Sequence, residues 1–281
     1  MRVVIAHGHI FKNAGTSFDW ALRRNFGKNF CDHRNDIAMR KGRSEYLGDF
    51  LRGADNLTAI SSHHLCDVSQ IKDISIHPVY FVRHPILRSL SVYNFERCQK
   101  SDTPGAVAAK KYCFRDYVKW RMDLSVGGTL RNYQTNYISH FQNGKFNREA
   151  DFESLALAVM RLQENVSIGV VDEFDKSMVV IESRLKKYFP NLDLSYIKQN
   201  EGDKRPSSTN RNEFTLNYIS DELGEVFGEL LYANHLDMVL YREAKTKLLN
   251  DAKLTQDFDT KLLRFVSRCE ELKERQPDLL F

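Results

Sequence analysis

The chain has 281 residues, enough for one large domain or two small ones, and its apolar content is ordinary for a packed globular protein. Lys and Arg total 41 against 37 for Asp and Glu. That small surplus suits a small anionic ligand or an acidic glycan and is too weak to argue for nucleic acid. No Pro/Gly/Ser tract marks a disordered linker, and no apolar run is long enough to span a bilayer, so stable membrane insertion is not expected.

In chain order, Val3 to His7 is a short, continuously apolar run that predicts a strand buried on both faces of a parallel sheet. Ala14, Phe18, Ala21 and Leu22 then fall at helical spacing. Lys28 to Ala54 is polar, basic and poorly periodic, and no element is assigned to it. Leu57 to Ser61 and Val79 to Arg83 predict two further strands. Pro85, just past the second, suits a first helical turn. Leu155, Val159 and Leu162 predict a helix with Asp151 as its cap. Val166 to Val171 predicts a fourth strand. Met178, Ile181 and Leu185 predict a helix that Pro190 stops. Lys198 to Asn212 reads as a long polar loop.

The chain closes on an apolar helical stripe of Phe258, Leu262, Phe265, Val266, Cys269 and Leu272. The stripe is expected to dock on its own domain, with a homodimer contact as the alternative. Alternating strand and helix predicts an α/β, three-layer, P-loop-like fold. Its central, mainly parallel sheet is flanked by helices and followed by a helical C-terminus. The expected organisation is one domain over 1–245 with a helical extension over 246–281 packed on it. The five cysteines are scattered and never paired as C-x-x-C. Free thiols, a cytoplasmic setting and no zinc site follow as expectations.

Two segments carry chemistry. The first is His9-Ile10-Phe11-Lys12-Asn13-Ala14-Gly15-Thr16-Ser17-Phe18, a turn between the first strand and the first helix. Such a turn offers backbone N–H groups and the positive end of a helix dipole to an anion. Gly15 allows close backbone approach, Thr16 and Ser17 add hydroxyls, and Lys12 adds a full positive charge. The order fails the G-x-x-x-x-G-K-[ST] fingerprint, because Lys12 precedes Gly15. A plain strand–turn–helix with Thr16 as cap is the alternative. The second segment is Arg83-His84-Pro85-Ile86-Leu87-Arg88-Ser89-Leu90-Ser91-Val92-Tyr93. Arg83 stands at the carboxyl end of a strand, where open α/β sheets bind ligands. Arg83 and Ser91 are placed to clamp a second anionic group. Together the segments suggest a nucleotide charged at both its 5′ and its 3′ position.

At these residues the chain resembles the PAPS-dependent sulfotransferases, in particular the carbohydrate branch that includes the heparan sulfate enzymes. Their 5′-phosphosulfate loop reads His-x-Pro-Lys-Thr-Gly-Gly-Thr and is matched by His9 to Thr16, with Phe11 for the proline and Ala14 for the first glycine. Their 3′-phosphate element reads Arg-Asp-Pro-x-x-Arg-x-x-Ser-x-Tyr and is matched by Arg83 to Tyr93, with His84 for the aspartate. Weaker echoes are Asn132-Tyr133-Gln134-Thr135, Gly169 to Ser177 and Leu240-Tyr241. The resemblance covers about residues 1 to 245.

It implies a PAPS:hydroxyl sulfotransferase that releases PAP, without a metal. A hydroxyl-bearing glycan, glycolipid or small glycoside is the implied acceptor. Lys12 would neutralise the departing 5′-phosphate, with Asn13, Ala14, Gly15, Thr16, Ser17 and Phe18 lining the loop. Arg83 and Ser91 would hold the 3′-phosphate. Lys204 and Arg205 would sit on a loop that closes over the donor. His63 and His64 follow the strand Leu57 to Ser61. In the 2-O-sulfating members a histidine in a corresponding segment is the proposed base, which favours His63, and imidazole suits that task near neutral pH. His9 is expected to shape the loop, and Glu96 and Asp67 are fallback carboxylates. A P-loop-type kinase or a non-catalytic nucleotide-binding protein remain as alternatives.

Overall fold

A computed structural model of the chain describes residues 1–65, 68, 71–139, 149–164, 166–197 and 211–275. Its strands are β1 (Val3–Gly8), β2 (Phe30–His33), β3 (Ala59–Ser62), β4 (Ser75–Val82) and β5 (Ser167–Val170). Its helices are α1 (Gly15–Phe26), α2 (Asp36–Gly53), α3 (Pro85–Cys98), α4 (Pro104–Lys111), α5 (Phe114–Met122) and α6 (Tyr133–Ser139). They continue with α7 (Phe152–Gln163), α8 (Phe174–Leu185), α9 (Arg211–Leu223), α10 (Val226–Ala233), α11 (His235–Leu254) and α12 (Phe258–Arg275). Among the described residues, no helix is long and apolar enough to cross a membrane.

Contacts divide the chain into two interleaved units. The first comprises Met1–Val82, Arg161–Gly202 and Glu243–Phe281. It holds a five-stranded sheet of order β2-β3-β1-β4-β5, parallel throughout. The register sets Ile5 beside Ala59 and His77, and Val79 beside Ser167. Successive strands leave β1 on one side as far as β3, and β4 then starts the other side. The order therefore reverses between β1 and β4, which in open α/β sheets is the point where a crevice opens past the strand ends.

Helices cover this sheet because its strands are apolar on both faces. Val4, Ile5 and Ala6 are fully buried, as are Phe18, Ala21 and Leu22 of α1 and Met178, Ile181 and Leu185 of α8. Phe18 and Phe81 meet at 5.2 Å between ring centroids. α12 packs on α8 through Phe265, which is fully buried, with Phe258, Leu262 and Cys269 half-buried beside it. Arg268 fastens the helix to Glu182 at 2.9 Å.

The stretch Lys28 to Ala54 does form elements. β2 is a four-residue edge strand, and α2 is capped by Asn35, whose side-chain oxygen accepts the Ala38 N–H at 3.2 Å. β4 starts at Ser75 and runs through Pro78, a residue that argues against a strand in sequence. It is tolerated because β5 pairs only with Val79 to Val82.

The second unit comprises Arg83–Met160 and Asp203–Arg242 and is helical where described. Pro85 opens α3, as its fixed φ and missing N–H favour. Asp151 caps α7 by accepting the Ser154 N–H at 2.8 Å.

Candidate anion loop and histidine cluster

In the first unit the loop between β1 and α1 is tied down at both ends. The His9 N–H donates to the Ser62 carbonyl at 2.9 Å, extending the β1–β3 ladder by one residue. The Asn13 side-chain amide donates to the Phe81 carbonyl at 2.7 Å and so links the loop to β4 across the reversal point. Asn13 is almost fully buried, and its own N–H donates to the Ile10 carbonyl at 3.2 Å. Its N–H and amide therefore build the loop.

Lys12 and Ala14 both hold positive φ, 64° and 58°, with Asn13 between them turning the other way. The left-handed Ala14 followed by the right-handed start of α1 turns successive N–H groups toward one side, the arrangement of an anion-binding concavity. Ala14 caps α1: its carbonyl accepts from Ser17 at 3.1 Å and from Phe18 at 3.5 Å. The N–H groups of Gly15 and Thr16 precede the first intrahelical bond and are the ones the helical ladder does not use. No acidic side chain lies in the first turn. A side chain at Gly15 would overlap the His9 imidazole, which explains the glycine.

Behind the loop lies a buried cluster. His7 and His9 are two apart on a strand and its extension, so both point to one face. Each meets a different oxygen of Asp19 from α1, His7 Nδ1 at 2.7 Å and His9 Nδ1 at 2.8 Å. All three residues are less than a tenth exposed. The two imidazoles offset the burial of Asp19 and hold its carboxyl far below the usual carboxylate range. Burial lowers His9 from its ordinary 6.5, so the ring is neutral and donates Nδ1–H to Asp19.

The same three residues have the donor types of a metal site. Their spacing is that of hydrogen bonds. Ligand atoms about 2.0–2.2 Å from a tetrahedral ion would stand roughly 3.3 Å apart.

His63 follows β3. Its Nδ1 donates to the His9 carbonyl at 2.9 Å, and its ring lies 4.4 Å from that of His9. A neutral imidazole bonded in this way carries its lone pair on Nε2. Burial lowers its pKa from 6.5, with the neighbouring His9 acting in the same direction. His64 turns toward α2, its Nε2 3.8 Å from Asp36. Of the adjacent pair, only His63 is bonded to the loop that carries Lys12.

In the second unit Arg83 is the residue that follows β4. Gln134 grips its backbone on both sides, accepting the Arg83 N–H at 2.8 Å and donating to the Arg83 carbonyl at 2.9 Å. Gln134 is fully buried at the start of α6. Asp237 accepts the N–H groups of Gln134 and Thr135 at 3.1 and 2.7 Å. Asn132, at φ 39°, accepts those of Leu236 and Asp237 at 3.0 and 3.2 Å. Each helix start thus caps the other.

Arg88 is buried, donates to the Thr129 carbonyl at 2.7 Å and lies 4.3 Å from the Tyr133 ring centre. Ser91 is half-buried on α3. Glu96 is bonded within the unit to Tyr117 and Arg121, so that fallback carboxylate belongs to a buried ion pair. Lys204, Arg205 and Asp67 lie outside the described residues. Sequence reasoning passed over His7, Asp19 and Asp237. The His-x-His spacing on a strand was the available signal for the first two, whereas the partners of Asp237 lie about a hundred residues away.

Fold and loop define an α/β protein with a wholly parallel sheet and a basic, glycine-containing turn at the head of its first helix. The chain is 31 % identical over 249 residues to an uncharacterized protein of Archaeoglobus fulgidus, a match spanning 86 % of this chain and 96 % of that one. It belongs to one family with that archaeal protein. No family model matches the chain, and no solved structure does.

Proposed function

We propose that the protein is a PAPS-dependent sulfotransferase that moves the sulfuryl group to a hydroxyl of a carbohydrate-containing acceptor, in a cytoplasmic setting. The observation that carries this is the bond from His63 Nδ1 to the His9 carbonyl. It puts a base-ready Nε2 on the strand end next to the loop that bears Lys12. In the transfer, the acceptor oxygen attacks sulfur while His63 Nε2 takes the hydroxyl proton. The bond from sulfur to the 5′-phosphate oxygen breaks, and PAP leaves with the electron pair. Lys12 and the N–H groups of Gly15 and Thr16 stabilise the charge that builds on the leaving phosphate. Arg83 and Ser91 are assigned the 3′-phosphate, with Gln134 holding the Arg83 backbone.

Ligand ranking by thermal shift tests the reading. PAP should raise the midpoint clearly, with ADP and ATP–Mg²⁺ giving little. A preference for ATP–Mg²⁺ would turn the assignment toward a kinase. Mass-spectrometric detection of an added sulfate across a panel of glycans, glycolipids and glycosides then identifies the acceptor.

A further inference from the structure

The geometry points to the His9–Asp19 pair as a proton-linked anion receptor: a phosphate or sulfate group seated at the start of α1 binds together with one proton, taken up on His9 Nε2. The inference rests on the reading of that loop as the donor's 5′ site, and it adds the side chains of His9 and Asp19, which the reading does not use.

His9 is only 8 % exposed. Its Nδ1 side is committed to Asp19 at 2.8 Å. The opposite edge of the ring, Nε2 and Cδ2, lies against Gly15, the first residue of α1. Among the described residues, Nε2 has no hydrogen-bond partner. A neutral ring therefore brings a lone pair up against Gly15, the residue at which the N–H groups left over by the helical ladder begin. Protonation turns that lone pair into a donor.

The carboxylate behind the ring makes the proton tolerable. Asp19 is ionised, and its two oxygens meet only imidazoles among the described residues. An imidazolium at His9 would give this buried charge a full counter-charge. Besides Asp19, the charges that act on His9 oppose the proton: His7 on β1 and Arg34 ahead of α2; burial opposes it too. His63, 4.4 Å away, is kept neutral by a positive His9, which preserves it as a base. Without the anion, burial and the neighbouring positive charges win. An incoming dianion reverses the balance. Affinity should then weaken as pH rises through the pKa of His9 in the complex.

The test is calorimetric titration of PAP at pH 7.5 in buffers of differing ionisation enthalpy, which counts protons. At that pH the phosphates, with second pKa values of about 6, contribute little uptake of their own. The wild-type protein should take up a sizeable fraction of one proton per PAP bound. His9→Gln places a permanent N–H near the Nε2 position. It should bind PAP with no proton uptake and with an affinity that no longer changes with pH. Asp19→Asn should bind more weakly and take up less. Uptake unchanged in His9→Gln, or none in the wild type while PAP binds, overturns the inference and leaves the loop as the donor site. Failure of PAP to bind the wild type removes the donor reading, and the inference with it. A residue that only shaped the loop would leave the proton count unmoved.

Discussion

The Nδ1–H of His63 is donated to the main-chain carbonyl of His9 across 2.9 Å. That bond fixes the tautomer of a histidine on one strand end by the backbone of the next. A side chain that serves as a base needs its proton-accepting nitrogen preset, and here the sheet's own β1–β3 pairing presets it.

His63→Ala should therefore lower kcat by about two to four orders of magnitude, the usual contribution of a positioned base. PAP affinity should stay within about twofold. The rate should plateau through pH 7 and fall only on the acid side, since burial pushes this pKa below 6.5 and the neutral ring is the active form. Steady-state kinetics over pH 5 to 8.5 with calorimetry of PAP checks both. Unchanged turnover would remove His63 from the mechanism.

Lys12→Ala should abolish transfer, a loss of at least about a hundredfold, by removing the charge that meets the leaving phosphate. The fold should survive, because the loop is held by Asn13 and by the backbone bond from His9 to Ser62. Circular dichroism and single-turnover product formation separate the two effects.

Four of the five strands were legible because burial on both faces writes an unbroken apolar run into the sequence. β2 was not. Phe30-Cys31-Asp32-His33 is an edge strand paired only with β3 and half-buried at its centre, so polar residues are tolerated and the run is lost. α2 was hidden by its weak periodicity and by the break at Arg43, where φ is 49°. The loop could be read because its lysine, glycine and hydroxyls are contiguous. The cradle around Arg83 could be read only as a faint string at Asn132 to Thr135. Its meaning lies in Asp237, about a hundred residues further on, and pairs so distant leave no local pattern.

Neighbouring positions in the loop should respond oppositely to a methyl group. Ala14 sits at φ 58°, a conformation that costs a residue with a Cβ about 1–2 kcal/mol. Ala14→Gly relieves that cost, while the extra freedom of glycine in the unfolded chain takes back roughly 0.5–1 kcal/mol. A stabilisation between zero and about 1.5 kcal/mol is expected. Gly15→Ala forces a methyl into the His9 ring and should cost about 1–3 kcal/mol, as overpacking does. Urea melts of both variants give the signs, and a destabilised Ala14→Gly would contradict the strain assigned here.

In the second unit, Asp237→Ala would strip acceptors from the Gln134 and Thr135 N–H groups in a fully buried place. A loss of about 2–4 kcal/mol is expected, from the cap and from the orphaned donors together. Because Gln134 holds the Arg83 backbone, PAP affinity should fall with stability. Asp237→Asn keeps one acceptor oxygen and should lie between the two in both measurements. Arg83→Ala should weaken PAP binding while leaving the melting temperature nearly unchanged.

Acid should destabilise this protein in two stages. His9, His33, His63, His64 and His77 all have pKa values lowered by burial. Below pH 6.5 the unfolded chain takes up protons that the folded chain refuses, so stability falls as pH drops through that range. Asp19 follows. Its folded pKa lies well below the ordinary 3.8, so its contribution is complete above 3.8 and is lost as pH falls further. Melting temperature should decline from pH 7 toward 5 and again, more steeply, below 4. Asp19→Asn should melt lower than wild type at pH 7, and the gap should narrow below pH 4, where the wild-type carboxylate loses its advantage. A gap that stays constant from pH 7 to 3 would mean that the charge of Asp19 contributes nothing and that its value is packing alone.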